Sequence, residues 1–158
     1  MTPDAASIND AQRNSIIKMQ PADIAEAVTN GSLTSETVLQ CIQPCVSLFS
    51  GMGGDCKGIH DSTAPNGRVR KVFVAIDNDR TALNALRTFT DNKVPTALHT
   101  IGADIAATID VISTYVPAGL CHDLFVFMAP PSISHSHGLA KTVSRIETIR
   151  LADAAIAT

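Results

Sequence analysis

Charge is scarce in this sequence: Lys, Arg, Asp and Glu make up 17% of 158 residues, against 45% apolar side chains. That balance excludes an intrinsically disordered chain, which has too little apolar surface to bury. A chain of this length forms one compact domain and buries roughly two thirds of its unfolded surface. Long apolar runs are missing as well. The longest, Leu124 to Met128, falls far short of the roughly 20 residues a membrane-spanning helix needs and leads into paired prolines, so no membrane association is expected. The opening stretch, Met1 to Arg13, has neither the basic start nor the apolar run of a secretory signal, which points to an intracellular protein, cytoplasmic or nuclear. Disorder is expected in about the first dozen residues.

Basic residues are outnumbered. Twelve Lys and Arg against fifteen Asp and Glu give a net charge of −3, whereas free-standing nucleic-acid binders gain most of their affinity by neutralising phosphates. Contact with DNA would need a further domain or a partner chain to supply the basic surface. Cysteine occurs only as Cys41, Cys45, Cys56 and Cys121; with ample core and no secretory signal, reduced, packed thiols are expected. Cys41 and Cys45 have the spacing of half a zinc knuckle, but no second Cys or His pair follows at a convincing distance, and no metal site is assigned.

What is present divides into two parts. Residues 1–43 read as a disordered start and a helical lead-in, and residues 44–158 as an α/β domain. Over Pro21 to Cys41 the apolar spacing predicts two short helices, one presenting Ile24, Ala27 and Val28, the other Val38, Leu39 and Ile42, with Asn30-Gly31 between them. Ser35 is the expected N-cap of the second helix and Pro44 its stop. From Cys45 onward short apolar runs alternate with helical stretches, the pattern of a parallel sheet with crossover helices. Strands are expected at Val46–Phe49, Val72–Ile76, near Thr96–Ile101, and at Leu124–Met128. Helices are expected from about Gly54, over Arg80–Phe89, over Ile105–Tyr115 and over Leu139–Ala157, with a surface loop at Asp61–Gly67.

The first strand runs into Ser50-Gly51-Met52-Gly53-Gly54. In open α/β sheets ligands bind beyond the carboxyl ends of the strands, where glycines let the backbone approach the ligand. An acid, Asp77, follows at the end of the second strand, roughly 20 residues on, and can accept hydrogen bonds from both hydroxyls of a ribose. The turn does not match G-x-G-x-x-G and brings no P-loop lysine, so neither a dinucleotide nor a triphosphate is favoured.

The wording of these segments resembles the cytosine-specific DNA methyltransferases. Ser47-Leu48-Phe49-Ser50-Gly51-Met52-Gly53-Gly54 is similar to the family's first motif: Leu-Phe at a strand end, a small residue, Gly, an apolar residue and Gly-Gly. Asp77-Asn78-Asp79-Arg80-Thr81-Ala82 resembles the next, although the family more often has Glu at the position of Asp77. Gly102-Ala103-Asp104-Ile105 resembles the Gly-Asp-Ile motif, and Asp123-Leu124-Phe125-Val126 with Ala129-Pro130-Pro131 resembles the approach to the catalytic Pro-Cys loop. Four motifs in order span Cys45 to His137. The resemblance implies a Rossmann-like class I fold with a partial sheet, S-adenosyl-L-methionine as cofactor, and a cofactor site made by Phe49, Ser50, Gly51, Gly53, Gly54, Asp77, Asn78, Asp104 and Ile105.

The chain departs from the family at the nucleophile, the cysteine whose thiolate attacks the cytosine ring. Pro131 or Ser132 stands there, depending on a one-residue alignment choice. Proline cannot attack, and a serine hydroxyl is a far weaker nucleophile than a thiolate unless a base activates it. His135 and His137 lie nearby, but no third orienting residue accompanies them. The sequence also ends before the family's Glu-Asn-Val motif and target recognition domain, the parts that flip and read the base. The expectation is a cytosine methyltransferase-like domain that binds cofactor but does not transfer methyl groups alone. Open beside it are one subunit of a split methyltransferase, a structural protein or homo-oligomer reusing the fold without cofactor, and a methyltransferase acting on something other than DNA.

Overall fold

The computed structural model describes residues 8–60, 62–102 and 104–128. In chain order these form α1 (Asp10–Lys18), α2 (Pro21–Thr29), α3 (Ser35–Cys41), β1 (Ile42–Leu48), α4 (Gly54–Ile59), β2 (Val69–Asp77), α5 (Arg80–Phe89), β3 (Thr96–Leu98), α6 (Ile105–Tyr115) and β4 (Phe125–Met128), with single 3-10 segments at Pro65–Gly67 and Ala118–Asp123. The four strands make one parallel sheet in the order β3-β2-β1-β4. The fold is α/β and compatible with a Rossmann-like arrangement.

Crossover handedness explains the layers. Right-handed connections carry the chain from β1 to β2 to β3 over one face, and the return to the far side of β1 must then cross the other. Accordingly Cys56 of α4 and Leu83 and Leu86 of α5 pack with Cys45, Val72 and Ala75 on one face. Ile112 of α6 packs on the other with Val46, Leu48 and Ile76, and Ile16, Ile24 and Val38 of the first three helices join the same cluster. The lead-in helices are thus part of the main core, and β1 runs across the boundary expected at residue 43.

A bulge sets the second strand's pattern. Cys45 pairs with Val72 but Val46 with Val74, leaving Phe73 as the extra residue. Phe73 and Val74 both join the larger cluster, while Val72 and Ala75 face the other side. The Val72 amide donates instead to His60 Nδ1 at 3.1 Å.

Several expectations at the amino-terminal end are corrected. Asp10–Arg13 is not disordered: Asn9 caps α1 by accepting from the Gln12 amide at 2.8 Å, and Ile16 anchors the helix in the core. Thr34, rather than Ser35, is the N-cap of α3, accepting from the Thr37 amide. Pro44 does not stop a helix. That helix ends at Cys41, and Ile42 and Pro44 lie within β1. Pairing with β4 begins only at Cys45, so around Pro44 the strand has a neighbour on one side, where a missing N–H is tolerated. Phe49 lies outside β1, the third strand ends at Leu98, and Asp123 closes a 3-10 segment, where it pairs with Arg68, before β4 begins at Phe125. The helix expected at Leu139–Ala157 falls outside the described residues.

The sheet separates the two half-knuckle cysteines, since Cys41 lies in the cluster on one face and Cys45 in the cluster on the other. Burial raises the pKa of all four thiols, and that of Cys45 to about 12 from 9.0. The unfolded thiol ionises near pH 9 while Cys45 in the folded chain keeps its proton, so the folded state loses stability between about pH 9 and about pH 12. The slope expected from one such thiol is about 1.4 kcal/mol per pH unit. Urea unfolding at pH 8 and pH 10.5 measures it, and Cys45→Val should flatten the dependence; an equal slope in that variant would assign the effect to other groups.

Candidate functional site

The carboxyl ends of the four strands finish level. Ala97 pairs with Ile76, Ile76 with Leu48, and Leu48 with Met128, one continuous row across β3, β2, β1 and β4. The segments following β1, β2 and β3 therefore leave from one edge. Strand order reverses between β1 and β4, and in open α/β sheets the crevice at such a reversal is where ligands bind.

The turn after β1 is held from beneath. Phe49 has φ 57, Gly51 φ 55 and Gly53 φ 88. Gly53 needs to be glycine on two counts, the left-handed backbone and a Cβ that would sit 2.5 Å from Leu86 Cγ. Phe49 is a bulky residue in the same region, a strain of roughly 1–2 kcal/mol. Ser50 binds it in place: its amide donates to Ile76 O at 3.1 Å, and its hydroxyl lies 2.9 Å from Ser47 Oγ and 3.0 Å from Ser47 O. Gly54 differs from Gly53. It opens α4 with no left-handed φ, and a Cβ there would meet nothing within 4 Å. A shallow cleft of about 250 Å³ lined by Met52, Gly54, Ala85 and Phe89 lies beside it, with Met52 68% exposed.

Asp77 joins the turn to the next strand. Its Oδ2 accepts from the Gly51 amide at 2.8 Å and its Oδ1 from the Asp79 amide at 2.9 Å. An ionised carboxylate offers about four acceptor sites, so these two bonds leave capacity for two more. Asp79 caps α5 through the Thr81 and Ala82 amides, and Asp104 caps α6 through the Ala107 amide. Sequence patterning did not single out His99, which also belongs to this edge. Its amide donates to Asp77 O at 2.9 Å and its Nε2 lies 2.9 Å from the hydroxyl of buried Thr108. A lone histidine after a weak strand carries no local signal, and only the topology brings it here.

Of the expected site, Ser50, Gly51 and Asp77 come together through these bonds, with Phe49, Gly53 and Gly54 adjoining them on the same turn. Asn78 is exposed beside Asp77. Asp104 and Ile105 begin α6 on the connection that follows β3, with Ile105 packed against the larger core cluster. Ala103, Pro131, Ser132, His135 and His137 fall outside the described residues. Compared with models of protein families and with curated proteins, the chain matches none.

The two adjacent glycines give opposite expectations. Gly53→Ala should destabilise the fold by about 2 kcal/mol or more, from the left-handed backbone and the clash with Leu86. Gly54→Ala should be neutral or stabilising by up to about 1 kcal/mol, because alanine is the better helix former and meets open space. Urea midpoints of the two variants test this; equal losses would contradict it.

Proposed function

We propose that this chain is the cofactor-binding part of an S-adenosyl-L-methionine-dependent methyltransferase of the DNA cytosine type, a class I fold that binds cofactor without transferring methyl groups alone. The observation that carries the reading is Asp77, a carboxylate at the end of β2 bonded to the glycine turn of β1 and retaining acceptor capacity at the edge where strand order reverses. The two remaining acceptor sites fit the adjacent hydroxyls of a ribose. Open space above Gly54 fits a close approach of the ligand to the main chain. When bound, the cofactor supplies a methyl group on a sulfonium.

Charge at the edge favours this class over phosphorylated nucleotides. Asp55, Asp77, Asp79 and Asp104 lie in the segments beyond the strand ends, against the basic residues Lys57 and Arg80 beside them in the described chain. A di- or triphosphate would be repelled there, while a nucleoside carrying a positive sulfonium would not. The residues at the family's nucleophile position, Pro131 or Ser132, support binding without the covalent step. The net charge of −3 leaves duplex DNA to a partner chain or a further domain.

A second reading, an interaction protein that uses the fold without cofactor, is favoured by one observation: the carboxylates of Asp77, Asp79 and Asp104 all brace backbone amides. Gly54→Ala separates the two, because it removes room for a ligand without removing a contact of the fold. Calorimetric titration with S-adenosylmethionine and S-adenosylhomocysteine should give saturable binding to the wild-type chain, weakened tenfold or more in Gly54→Ala. At a hundredfold excess over Kd the ligand should add about 2.7 kcal/mol to the unfolding free energy. A folded wild-type chain that binds neither compound would favour the second reading.

A further inference from the structure

We infer that the Ser47 and Ser50 hydroxyls form an inward latch that fixes the glycine turn, making Ser50 a positioning residue for the site rather than a contact to the ligand. The part concerning affinity rests on the cofactor-binding reading; the latch itself does not.

The geometry is that of a closed pair. Ser50 Oγ has one proton and three acceptors within reach, Ser47 O at 3.0 Å, Ser47 Oγ at 2.9 Å and Ile76 O at 3.3 Å. When it donates to either carbonyl, the Ser47 hydroxyl can donate to it in turn, so both hydroxyls are satisfied. They need to be, for Ser47 is 2% exposed in the middle of the sheet, and buried hydroxyls are found partnered. Cys56, fully buried in the first turn of α4, neighbours the pair: burial raises the pKa of its thiol, and the two serine hydroxyls offset part of that rise.

The latch answers a question raised by Phe49. A left-handed bulky residue persists only where its surroundings over-determine the backbone. Phe49 is fixed on one side by β1, which ends at Leu48, and on the other by Ser50, whose amide and hydroxyl both reach back to the strands. Two bonds at Ser50 and one at Gly51 therefore set the direction in which the chain enters Gly51-Met52-Gly53. Without the Ser50 hydroxyl the Ser47 hydroxyl loses a partner, and relaxation of Phe49 becomes the easier course.

The test is amide hydrogen exchange at Gly51 and Gly53 in Ser50→Ala, Ser47→Ala and Ser50→Thr, with the β2 amides of Val74 and Ile76 as internal reference. Ser50→Ala should speed exchange at both glycines tenfold or more with the reference unchanged, and Ser50→Thr, which restores a hydroxyl, should recover wild-type rates. Ser47→Ala attacks the latch from the other side and serves if Ser50→Ala does not fold. Unchanged glycine exchange in the alanine variants overturns the latch, whatever the ligand results. In parallel, S-adenosylhomocysteine affinity should fall about tenfold in Ser50→Ala and return in Ser50→Thr. Faster exchange with undiminished affinity overturns the positioning role and leaves the cofactor-binding reading standing. A wild-type chain that binds no S-adenosylhomocysteine removes that reading and the positioning role with it, while the exchange rates still decide the latch.

Discussion

The hydrogen bond from the Gly51 amide to Asp77 is the contact on which the carboxyl edge of this sheet depends. Bonds of backbone N–H to an ionised carboxylate are shorter and stronger than neutral ones, about 1.5–3 kcal/mol net. Here one carboxylate holds two amides from different segments, the turn after β1 and the lead into α5. It thereby ties the exits of adjacent strands together. The neighbouring features lie around this tie: Phe49 is left-handed between β1 and the Ser50 bonds, Gly53 sits against Leu86, and α4 and α5 lie close enough for Lys57 to sit 4.4 Å above the Phe89 ring. The edge is a braced unit in which loop conformation is set by strand positions.

Much of this was legible in the sequence because a parallel sheet needs buried, nearly continuous apolar strands. Val72–Ile76 and Leu124–Met128 announced themselves by composition, and α5 and α6 by helical spacing between them. Asp79, a residue type favoured at N-caps and set just ahead of the helical spacing, caps α5. Where local rules failed, a long-range contact had overridden them. Pro44 reads as a helix stop, yet β4 starts too late to need its missing N–H. Asp10–Lys18 is too polar to announce a helix, and only Ile16 docking in a core assembled from distant segments fixes it. The bulge at Phe73 has no sequence signature at all. It appears once the register with β1 is known, and it explains how two consecutive large residues face the same layer.

The amino-terminal helices show how far the core extends beyond the alternating α/β pattern. Ile24 of α2 and Val38 of α3 are fully buried with Val46 and Leu48 of β1, so the face opposite α4 and α5 is covered jointly by α6 and by chain that precedes the sheet. Arg68 strengthens this arrangement from the amino end of β2, bonding Leu39 O and pairing with Asp123. One guanidinium thus links the end of α3 to the segment leading into β4. Deleting the lead-in would uncover apolar surface and leave the sheet with one complete layer, so the helices belong to the same folding unit.

The candidate site also illustrates how bracing and binding can share the same carboxylates. A capping aspartate uses one oxygen on backbone amides, and a carboxylate with about four acceptor sites is not exhausted by that. Capping at Asp79 and Asp104 is therefore compatible with either function and discriminates neither. The discriminating residue is Gly54. Glycine inside a helix costs up to about 1 kcal/mol relative to alanine, and at Gly54, as at Gly58, neither a left-handed backbone nor a close neighbour accounts for it. At Gly53 the fold itself demands the glycine. One position later it does not, and under the cofactor-binding proposal the open space beside the first turn of α4 is where a ligand would approach, next to the carboxylate proposed to hold its ribose.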